Sequence, residues 1–599
     1  MRRKYYYAMS SLKHDCGVAL IRLRKPLDYY ASKHYALDKL YLLMQKQHNR
    51  GQEGAGLACV SLDAVAGEEY LFRERKDGKN AINKLFSSVR EQIRCYEDTK
   101  RRGSTVQPFI GECYMGHLRY STTGCSGLSY VHPHLRRSSY RKYTLALCGN
   151  FNLTNVDEVF SYLASCGQHP RRSSDATILL EQLSNSLDNN EGDPLAVLKH
   201  CMPVWDGGFV LCGLTGAGEM FAVRDPWGIR TAFWYANDEI AVVASERAAI
   251  QTVMNADIGS IKEINPGEAL LISASGDVTC KTIITAKRVT PCAFERIYFS
   301  RGSDIDIYRE RKNLGRVLVT QILKAIDYDL ENSVFSFIPN TAEVAFLGMI
   351  EGLNDYLDKE KCKAIEESDG KDVAKIIARQ VRTEKVAVKD IKLRTFITES
   401  GERNELASHV YDITYGSIRP LIDNLVVIDD SIVRGTTLRQ SIITILARLQ
   451  PRKLIIVSSA PQIRYPDFYG IDMSDISDLI AFRAALELCR VNEREGAIEE
   501  IYRKCIEQQS VSKELMINYV SEIYAPFSDT EIAKKIAEIV TPENVNCPVE
   551  IIFQTREALS KICSKNNGDW YFTGNYPTKG GVKRLNDSLL RHCGYQFAF

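Results

Sequence analysis

The sequence lacks several features that would assign it to a specialised class of protein. No uninterrupted apolar run is long enough to cross a bilayer, and residues 1–15 are basic without the apolar centre of a secretory signal. The formal net charge is only +2, so no strong basic field indicates nucleic acid as a partner. Internal repeats and low-complexity tracts are also lacking. We expect a cytoplasmic protein that binds neither nucleic acid nor a membrane.

The 17 cysteines lack the CxxC spacing of many metal and redox sites. A chain of 599 residues can bury a large core without disulfides, so most cysteines are predicted to be reduced core residues.

Hydrophobic residues make up 45% of the chain and charged residues 25%, which is typical of globular proteins. The length predicts two or more domains.

The hydrophobic pattern changes near Pro291. Before about residue 280, short apolar runs bounded by glycine predict antiparallel sheets covered by helices. Beyond it, strand-like runs alternate with amphipathic helical segments, which predicts a parallel α/β sheet. The densely charged residues 355–392 are interpreted as an inserted helical excursion. The helix after residue 437 should bury one face, formed by Leu438, Ile442, Ile445, Leu446 and Leu449.

The segment from Val426 to Thr437 reads VVIDDSIVRGTT and ends a predicted strand in two acids. Asp429 and Asp430 could accept hydrogen bonds from adjacent ribose hydroxyls and lie near Mg²⁺. The following helix start offers backbone N–H groups to a phosphate, and Gly435 permits close approach of that phosphate to the backbone. The segment therefore predicts a site for a phosphorylated ribose. An ordinary strand-to-helix turn with an aspartate cap is the alternative.

This segment resembles the phosphoribosyl pyrophosphate (PRPP) motif of type I phosphoribosyltransferases, and its longer form DDSIVRGTT resembles the amidophosphoribosyltransferase family. Segments 291–303, 394–397 and 459–475 match that family in the same order. The resemblance implies Mg²⁺ near Asp429 and Asp430. It also implies a set of PRPP-binding residues, namely Asp429, Asp430, Ser431, Arg434, Gly435, Thr436, Thr437 and Thr341.

The N-terminal part resembles the class II glutamine amidotransferases. Cys16 precedes a strand, and matching segments follow at 47–57, 116–124, 149–155, 173–180 and 225–230. The resemblance implies an α+β N-terminal domain, an N-terminal-nucleophile-type αββα sandwich, followed by an α/β parallel-sheet phosphoribosyltransferase domain. The expected divisions are a propeptide at 1–15, an amidotransferase domain at 16–280, a transferase domain with helical insertions at 281–540, and a tail packing on it at 541–599.

The resemblance implies that Cys16 is the nucleophile. Removal of residues 1–15 would give Cys16 a free α-amino group, which can take the proton from its own thiol. The alternative is a buried cysteine behind a flexible tail. Asn150 and the backbone N–H of Phe151 would form the oxyanion hole, although the family usually has glycine in place of Phe151.

The resemblance also implies which residues bind glutamine. Arg119 would bind its α-carboxylate and Asp175 its α-ammonium group, and Arg50 is expected to contribute to the same site. Tyr120 and Tyr298 match tyrosines that the family places along an ammonia passage. Core packing is the alternative for both tyrosines.

The sequence departs from the family pattern in its second half. Asn340 stands where the family usually has an acid, and the stretch from 398 to 420 contains Arg403 and Arg419 but no lysine. Position 467 is aspartate where some members have a cysteine that holds an iron–sulfur cluster. We therefore predict no cluster, with Cys292 a core residue.

The expected reaction uses PRPP, glutamine and water to form 5-phosphoribosylamine, glutamate and pyrophosphate, the first step of de novo purine synthesis. The resemblance implies a homo-oligomer with purine nucleotides as feedback inhibitors. Two alternatives remain open: a class II amidotransferase with another acceptor, and a PRPP-binding regulator with weak or lost transfer chemistry.

Overall fold

The structure is a computed structural model. It describes residues 16–99, 106–120, 127–170, 174–286, 288–368, 372–389, 411–471, 473–565 and 568–594. The predicted propeptide, the matching segment 394–397 and Arg403 lie outside the described residues. The chain divides into two compact units. The first contains the chain up to Cys292 with Asp467–Asp472 and Pro577–Arg584, and the second contains Ala293–Pro466, Met473–Tyr576 and the residues from Leu585 onward.

The first unit contains two antiparallel sheets and their covering helices. Its strands are β1 (Gly17–Leu23), β2 (Gly54–Val60), β3 (Leu71–Asp77), β4 (Cys113–Arg119), β5 (His134–Arg136), β6 (Leu145–Leu153), β7 (Gly207–Thr215), β8 (Met220–Arg224), β9 (Phe233–Ala236), β10 (Ile240–Ala244), β11 (Lys262–Glu263), β12 (Glu268–Ile272) and β13 (Val278–Thr282). Its helices are α1 (Tyr35–Lys46), α2 (Ala81–Thr99), α3 (Val156–Ser165), α4 (Asp175–Asn189), α5 (Pro194–Cys201) and α6 (Arg247–Met254).

The strand order is β11-β9-β10-β1-β4-β2-β3 in one sheet and β13-β12-β8-β7-β6-β5 in the other. Side chains alternate between the two faces of each strand. On β1, Val18 and Leu20 enter the core between the sheets, whereas Ala19 and Ile21 pack with α1, α2 and α6. A third core lies between the second sheet and α3, α4 and α5. These layers confirm the predicted αββα sandwich.

The second unit is built on a parallel sheet. Its strands are β14 (Ser333–Phe337), β15 (Arg382–Thr383), β16 (Ala387–Lys389), β17 (Tyr411–Ile413), β18 (Asn424–Asp429), β19 (Lys453–Ser458) and β20 (Val549–Phe553). Its helices are α7 (Ile305–Val317), α8 (Val319–Ala325), α9 (Glu343–Glu367), α10 (Val373–Ile377), α11 (Thr444–Leu446), α12 (Ile480–Val491), α13 (Glu495–Glu507), α14 (Ser521–Tyr524), α15 (Asp529–Val540), α16 (Arg556–Ile562), α17 (Trp570–Thr573) and α18 (Lys579–Gly594), of which the last begins in the first unit.

The parallel sheet has the order β15-β14-β18-β19-β20, and β16 and β17 form a separate antiparallel ribbon. Because parallel strands all point the same way, the chain leaves β14, β18 and β19 at one edge of the sheet. That edge therefore collects the loops after residues 337, 429 and 458. The predicted parallel α/β fold is confirmed.

Two local expectations differ from the structure. The charged segment 355–392 is no separate excursion: its first part continues α9 to Glu367, and its last part contains β15 and β16. The helix after residue 437 is irregular, with a π-helical turn at Leu438–Ile443 ahead of α11. All five predicted core positions are nevertheless buried, so the irregular backbone still presents its apolar side chains to the core.

The compact units also differ from the expected divisions. The expected boundary at 280 falls inside the first unit, which continues to Cys292. The expected tail at 541–599 contains β20, a full member of the parallel sheet, and its residues Pro577–Arg584 belong to the first unit. Within the described ranges, no helix is both long and apolar enough to span a bilayer.

Candidate functional site

The predicted nucleophile Cys16 is fully buried immediately before β1. It shares the face of Val18, so its side chain belongs to the space between the two sheets. The backbone beside it is held firmly, because Val18 N–H donates to Ser245 Oγ at 3.0 Å and Val18 C=O accepts from Gln47 Nε2 at 3.2 Å. The tertiary structure thus fixes the start of β1, which is where a nucleophile needs a defined position.

Arg119 lies at the end of β4, next to the start of β1. Gly17 pairs with Leu118, so one further step along this antiparallel ladder places Cys16 beside Arg119. Arg119 is buried, and its guanidinium carbon lies 5.5 Å from the centre of the Tyr130 ring. Gly51 is required for this packing, because a Cβ atom there would lie 2.6 Å from the Arg119 carbonyl carbon.

Arg50 is also fully buried, behind the nucleophile. Its Cβ atom would lie 3.4 Å from a Cβ at Gly17, and its Nε atom donates to Glu246 Oε1 at 2.7 Å. The glutamine-binding role expected for Arg50 stays a prediction, and the structure adds an ion pair with Glu246 that orients the guanidinium.

The predicted oxyanion donors lie on β6. Phe151 pairs with Phe209 on β7, whose N–H and C=O both bond to Asp225 after β8. The pair therefore belongs to the non-hydrogen-bonded type, and Phe151 N–H points away from β7. Gly149 N–H points the same way and donates to His132 Nδ1 at 3.3 Å. Phe151 keeps a negative φ, so the glycine-to-phenylalanine departure adds no backbone strain.

The side chain of Asn150 faces the space between the sheets. It alternates with Phe151, which packs in the helix-side core, and follows Cys148, which packs in the core between the sheets. Val18, two residues after Cys16 on the same face, packs in that core as well, so the start of β1 and this stretch of β6 border the same space between the sheets. Strand alternation and sheet packing together bring Cys16, Arg119 and Asn150 to one end of the sandwich.

Asp175 begins α4 and is 4% exposed. Its Oδ1 accepts from Ala176 N–H at 2.9 Å, and no basic side chain of the described residues pairs with it. Burial raises the pKa of Asp175 to about 7. A buried carboxyl of this kind gains from a cationic ligand such as an ammonium group, because the ligand would restore its ionised form.

The C-terminal site lies at the edge of the parallel sheet where β18 ends. Asp429 Oδ1 accepts from Asp430 N–H at 2.8 Å, and the Asp429 and Asp430 carbonyls accept from Ser459 N–H and Ser459 Oγ at 2.9 and 3.1 Å. Burial and the neighbouring Asp430 charge raise the pKa of Asp429 well above its usual value. Burial raises the pKa of Asp430 to about 6. Two adjacent acids in this state would be stabilised by hydroxyl donors or a cation.

Thr341 belongs to the same site although it follows a different strand. The Ser431 hydroxyl donates to Asp430 Oδ1 at 2.8 Å. The Thr341 hydroxyl and the Arg311 charge also lower the pKa of Asp430 against the larger effect of burial, so both favour the ionised carboxylate. Arg311 is buried on α7 and donates to the Ser300 carbonyl at 2.7 Å. The structure therefore joins the predicted Thr341 to the aspartate pair and adds Arg311, which sequence reasoning missed.

The β16–β17 ribbon brings two further residues to the aspartates. Lys389 and Tyr411 are opposite each other in this ribbon. Lys389 lowers the pKa of Asp429 against the larger effects of burial and Asp430, and burial together with the two aspartate charges raises the pKa of Tyr411 to about 12. Neither residue lies in a recognisable motif, and a basic residue just before segment 394–397 was the available signal in the sequence.

The rest of the loop is positioned by Gly435. Its φ is +72°, and a Cβ atom there would lie 2.9 Å from Val540 Cγ1. Glycine is therefore favoured by both the conformation and the space. The side chains of Arg434, Thr436 and Thr437 are exposed around it, and Arg434 Nε donates to Asp478 Oδ2 at 3.2 Å. The predicted phosphate donors thus surround a tight turn that opens to solvent.

The structure shows the contacts of several residues at which the sequence departs from the family pattern. Arg419 is held by Asp423 through its backbone N–H, Nε and Nη2, so it supports β18 and is not placed for loop closure. Asn340 is exposed, and its carbonyl accepts from Glu343 N–H at the start of α9.

Cys292 is 1% exposed, which confirms its predicted place in the core. Asp467 accepts from Tyr469 N–H and Ile471 N–H at 3.0 and 2.6 Å and so shapes its own loop.

Tyr120 and Tyr298 lie in different units and are 37% and 43% exposed. Core packing, the alternative for both, is therefore wrong. Their role in an ammonia passage stays a prediction.

Comparison with known proteins supports the resemblance to the amidophosphoribosyltransferases. A family model described as a glutamine amidotransferase domain matches residues 135–252. The amidophosphoribosyltransferases of Pasteurella multocida and Bacillus subtilis are each 29% identical to this chain, over 78% and 75% of it and over 83% and 82% of their own lengths.

A solved structure gives the same result for the fold. It is described as glutamine phosphoribosylpyrophosphate amidotransferase from B. subtilis complexed with ADP and GMP, and it is 25% identical with a TM-score of 0.63. The match covers 94% of this chain and 97% of that chain. The chain is thus a divergent relative of the amidophosphoribosyltransferases, with a glutamine amidotransferase domain ahead of a phosphoribosyltransferase fold.

Proposed function

We propose that this chain is a glutamine-dependent amidophosphoribosyltransferase, which makes 5-phosphoribosylamine, glutamate and pyrophosphate from PRPP, glutamine and water at the first step of de novo purine synthesis. The observation that carries the proposal is the presence of two complementary sites in one chain. Cys16, Arg119 and Asn150 meet at one end of the sandwich, and Asp429, Asp430 and Thr341 meet at the edge of the parallel sheet.

The first site supplies ammonia. Once residues 1–15 are removed, the α-amino group of Cys16 takes the thiol proton and the sulfur attacks the glutamine amide carbon. Asn150 and Phe151 N–H donate to the oxygen that becomes negative in the tetrahedral intermediate. The C–N bond breaks, ammonia leaves with a proton, and water then cleaves the thioester to release glutamate.

Arg119 and Asp175 recognise the amino-acid end of glutamine. The buried Arg119 guanidinium provides a charge-assisted pair for the α-carboxylate. Asp175, whose pKa is raised by burial, becomes ionised when it pairs with the α-ammonium group. This arrangement selects a free amino acid, since a side-chain amide within a peptide lacks both charges.

The second site binds PRPP. Asp429 and Asp430 accept hydrogen bonds from the ribose hydroxyls, and the turn at Gly435 presents N–H groups and the Thr436 and Thr437 hydroxyls to the 5′-phosphate. Thr341 donates toward the pyrophosphate side. Lys389 and Tyr411 lie on the β16–β17 ribbon beside the aspartates, so the Lys389 ammonium adds a positive charge near the site.

The aspartate pair also fits Mg²⁺. Its ligands in proteins are hard oxygens, and two adjacent carboxylates would leave the other coordination positions to substrate oxygens and water. When bound, Mg²⁺ would neutralise charge on the departing pyrophosphate. The carboxylates of Asp429 and Asp430 would hold it, and Ser431 and Thr341 would fix the orientation of Asp430.

Regulation and assembly are part of the same proposal. Purine nucleotides are proposed as feedback inhibitors, and the relative whose structure is described as complexed with ADP and GMP supports this. We further propose a homo-oligomer and a cytoplasmic location. The absence of an iron–sulfur cluster stays a prediction, and iron analysis of the purified protein tests it.

The deciding experiment compares wild type with Cys16→Ala for pyrophosphate and glutamate release from PRPP, using glutamine or ammonia as the nitrogen source. We expect Cys16→Ala to lose the glutamine reaction by at least about 10⁴-fold and to retain the ammonia reaction, since the nucleophile serves only the first site. Cys280→Ala, a change at an exposed cysteine of the same unit, is the matched control and should retain both reactions.

The other outcomes identify the alternatives. No pyrophosphate release by wild type with either nitrogen source would favour a PRPP-binding regulator. Glutamate release that does not depend on PRPP, without pyrophosphate, would favour an amidotransferase with another acceptor.

A further inference from the structure

Two buried histidines lie beside the oxyanion strand β6 and have no role in the chemistry described above. His117 comes from β4 in the first sheet, and His132 comes from the segment before β5. They are 1% and 2% exposed, and their rings stack with centroids 4.2 Å apart and an interplanar angle of 25°. Because both imidazoles are buried, their ring nitrogens need hydrogen-bond partners within the protein.

Both rings bond to the same residue, Gly149. Gly149 N–H donates to His132 Nδ1 at 3.3 Å, and His117 Nε2 lies 3.1 Å from the Gly149 carbonyl oxygen. A carbonyl can only accept and a peptide N–H can only donate. His117 must therefore carry a proton on Nε2, and His132 Nδ1 must be unprotonated. Together the two rings fix both polar groups of Gly149.

The two histidines act where the β-ladder ends. β5 pairs with β6 from Arg136 opposite Leu145 to His134 opposite Leu147. Two residues further along β6, the groups of Gly149 point to the same edge as those of Leu147. At this position His132 and His117 take the place of a neighbouring strand on that edge, while the other edge of β6 stays paired with β7 as far as Leu153.

Gly149 cannot anchor itself through a side chain. A Cβ atom there would lie 2.5 Å from both the Val210 carbonyl oxygen and the Phe151 ring. The peptide before Asn150 must therefore be held by other residues. Phe151, two residues further along β6, contributes because its ring stacks on His132 with centroids 5.4 Å apart and an interplanar angle of 24°.

His132 is itself supported from the edge strand β3. Arg75 Nη1 donates to the Val131 carbonyl at 2.9 Å, and Arg73 Nη1 donates to the Pro133 carbonyl at 3.4 Å. The carbonyls on both sides of His132 are thus fixed by arginines. This rigid support is what a residue that orients another residue requires.

We propose that His117 and His132 are positioning residues for the oxyanion hole of the glutaminase. By holding both polar groups of Gly149, they set the direction of the Asn150 side chain and of Phe151 N–H toward the amide oxygen of glutamine. The inference rests on the proposed glutaminase function of this unit and adds two residues to it. Neither histidine touches the substrate or transfers a proton.

The test uses paired substitutions that keep or remove one hydrogen-bonding atom. His132→Asn places an acceptor near the position of Nδ1, whereas His132→Leu removes it. His117→Gln places a donor near the position of Nε2, whereas His117→Leu removes it. Steady-state glutamate release with PRPP gives kcat and KM for glutamine, and the ammonia reaction and thermal unfolding are measured on the same preparations.

We expect both leucine variants to lose about 10- to 100-fold in kcat with little change in glutamine KM, because oxyanion donors act in the transition state. The asparagine and glutamine variants should recover most of that loss, and the ammonia reaction should be unchanged in all four. Recovery by the hydrogen-bonding variants is decisive, since general core damage would not be reversed by one polar atom.

Three results would overturn the inference. One is wild-type kcat in the leucine variants, and another is an equal loss in the leucine variants and their polar counterparts. The third is a loss confined to KM or shared by the ammonia reaction. If wild type releases no glutamate from glutamine, the proposed function fails first, and this inference falls with it.

Discussion

The N-terminal unit assembles its candidate site from strands far apart in the chain, whereas the C-terminal unit concentrates most of its site between Val426 and Thr437. Cys16, Arg119 and Asn150 meet because three strands keep their register and their faces. A slip of one residue would turn any of these side chains to the other face. Most of the C-terminal site follows one strand and the turn around Gly435, and residues such as Thr341 and Arg311 join it from other elements. Damage to the first site should therefore be selective for glutamine, and damage to the second should affect both nitrogen sources.

After Cys16→Ala, the largest difference between the glutamine and ammonia reactions is expected from Asn150→Ala. Removal of one oxyanion donor should lower kcat for the glutamine reaction by about 10² to 10³-fold. The ammonia reaction should be unaffected, because Asn150 belongs to the other unit. Pyrophosphate release with each nitrogen source measures both effects. An equal loss with glutamine and ammonia would show that the two sites cannot be separated in this way.

Asp430→Asn tests the C-terminal site in the same way. The substitution keeps the size of the side chain but removes a charge that Ser431, Thr341 and Arg311 support. A charge-assisted hydrogen bond contributes about 1.5 to 3 kcal/mol, so kcat/KM for PRPP should fall by about 10- to 100-fold with both nitrogen sources. Asp412→Asn, at an exposed position of β17, is the matched control. A loss seen with glutamine alone would contradict the assignment.

The pH dependence of glutamine binding tests Asp175. Burial raises the pKa of this carboxyl to about 7, so it is neutral below that pH and ionised above it. Only the ionised form pairs with the α-ammonium group, so glutamine KM should rise about tenfold from pH 8 to pH 6. In Asp175→Asn the KM should be higher and lose this dependence. Identical pH profiles for the two proteins would exclude Asp175 as the titrating group.

The smallest effect is expected from Gly435→Ala. Alanine at a φ of +72° costs about 1 kcal/mol, and its Cβ would also approach Val540. The KM for PRPP should rise about fivefold to tenfold with both nitrogen sources. Gly416→Ala places alanine at a φ of +79° where no atom lies within 4 Å, so it controls for backbone strain alone. Equal effects of the two variants would mean that the turn at Gly435 has no special role.

The sequence predicted more of the second site than of the first. The acids, glycine and hydroxyl residues of the second site follow one another, so the motif alone indicated the loop, the strand before it and the helix after it. The first site was found through resemblance, because single residues such as Asp175 have no local pattern that indicates a ligand. Its burial and raised pKa became visible only when α4 was packed against the sheet.

Hydrophobic periodicity alone predicted antiparallel sheets covered by helices in the first part and a parallel α/β sheet in the second, since alternating and helical apolar patterns follow directly from the geometry of strands and helices. The αββα layering was implied by the family resemblance. The ribose-phosphate loop could also be predicted from the sequence, because its residues follow one another along the chain. Only the tertiary structure placed Lys389 and Tyr411 beside the aspartates and set His117 against His132. These contacts join residues from separate strands and loops, and their formation depends on sheet register and burial. No local stretch of sequence encodes either property, because each arises when distant strands pair and exclude water.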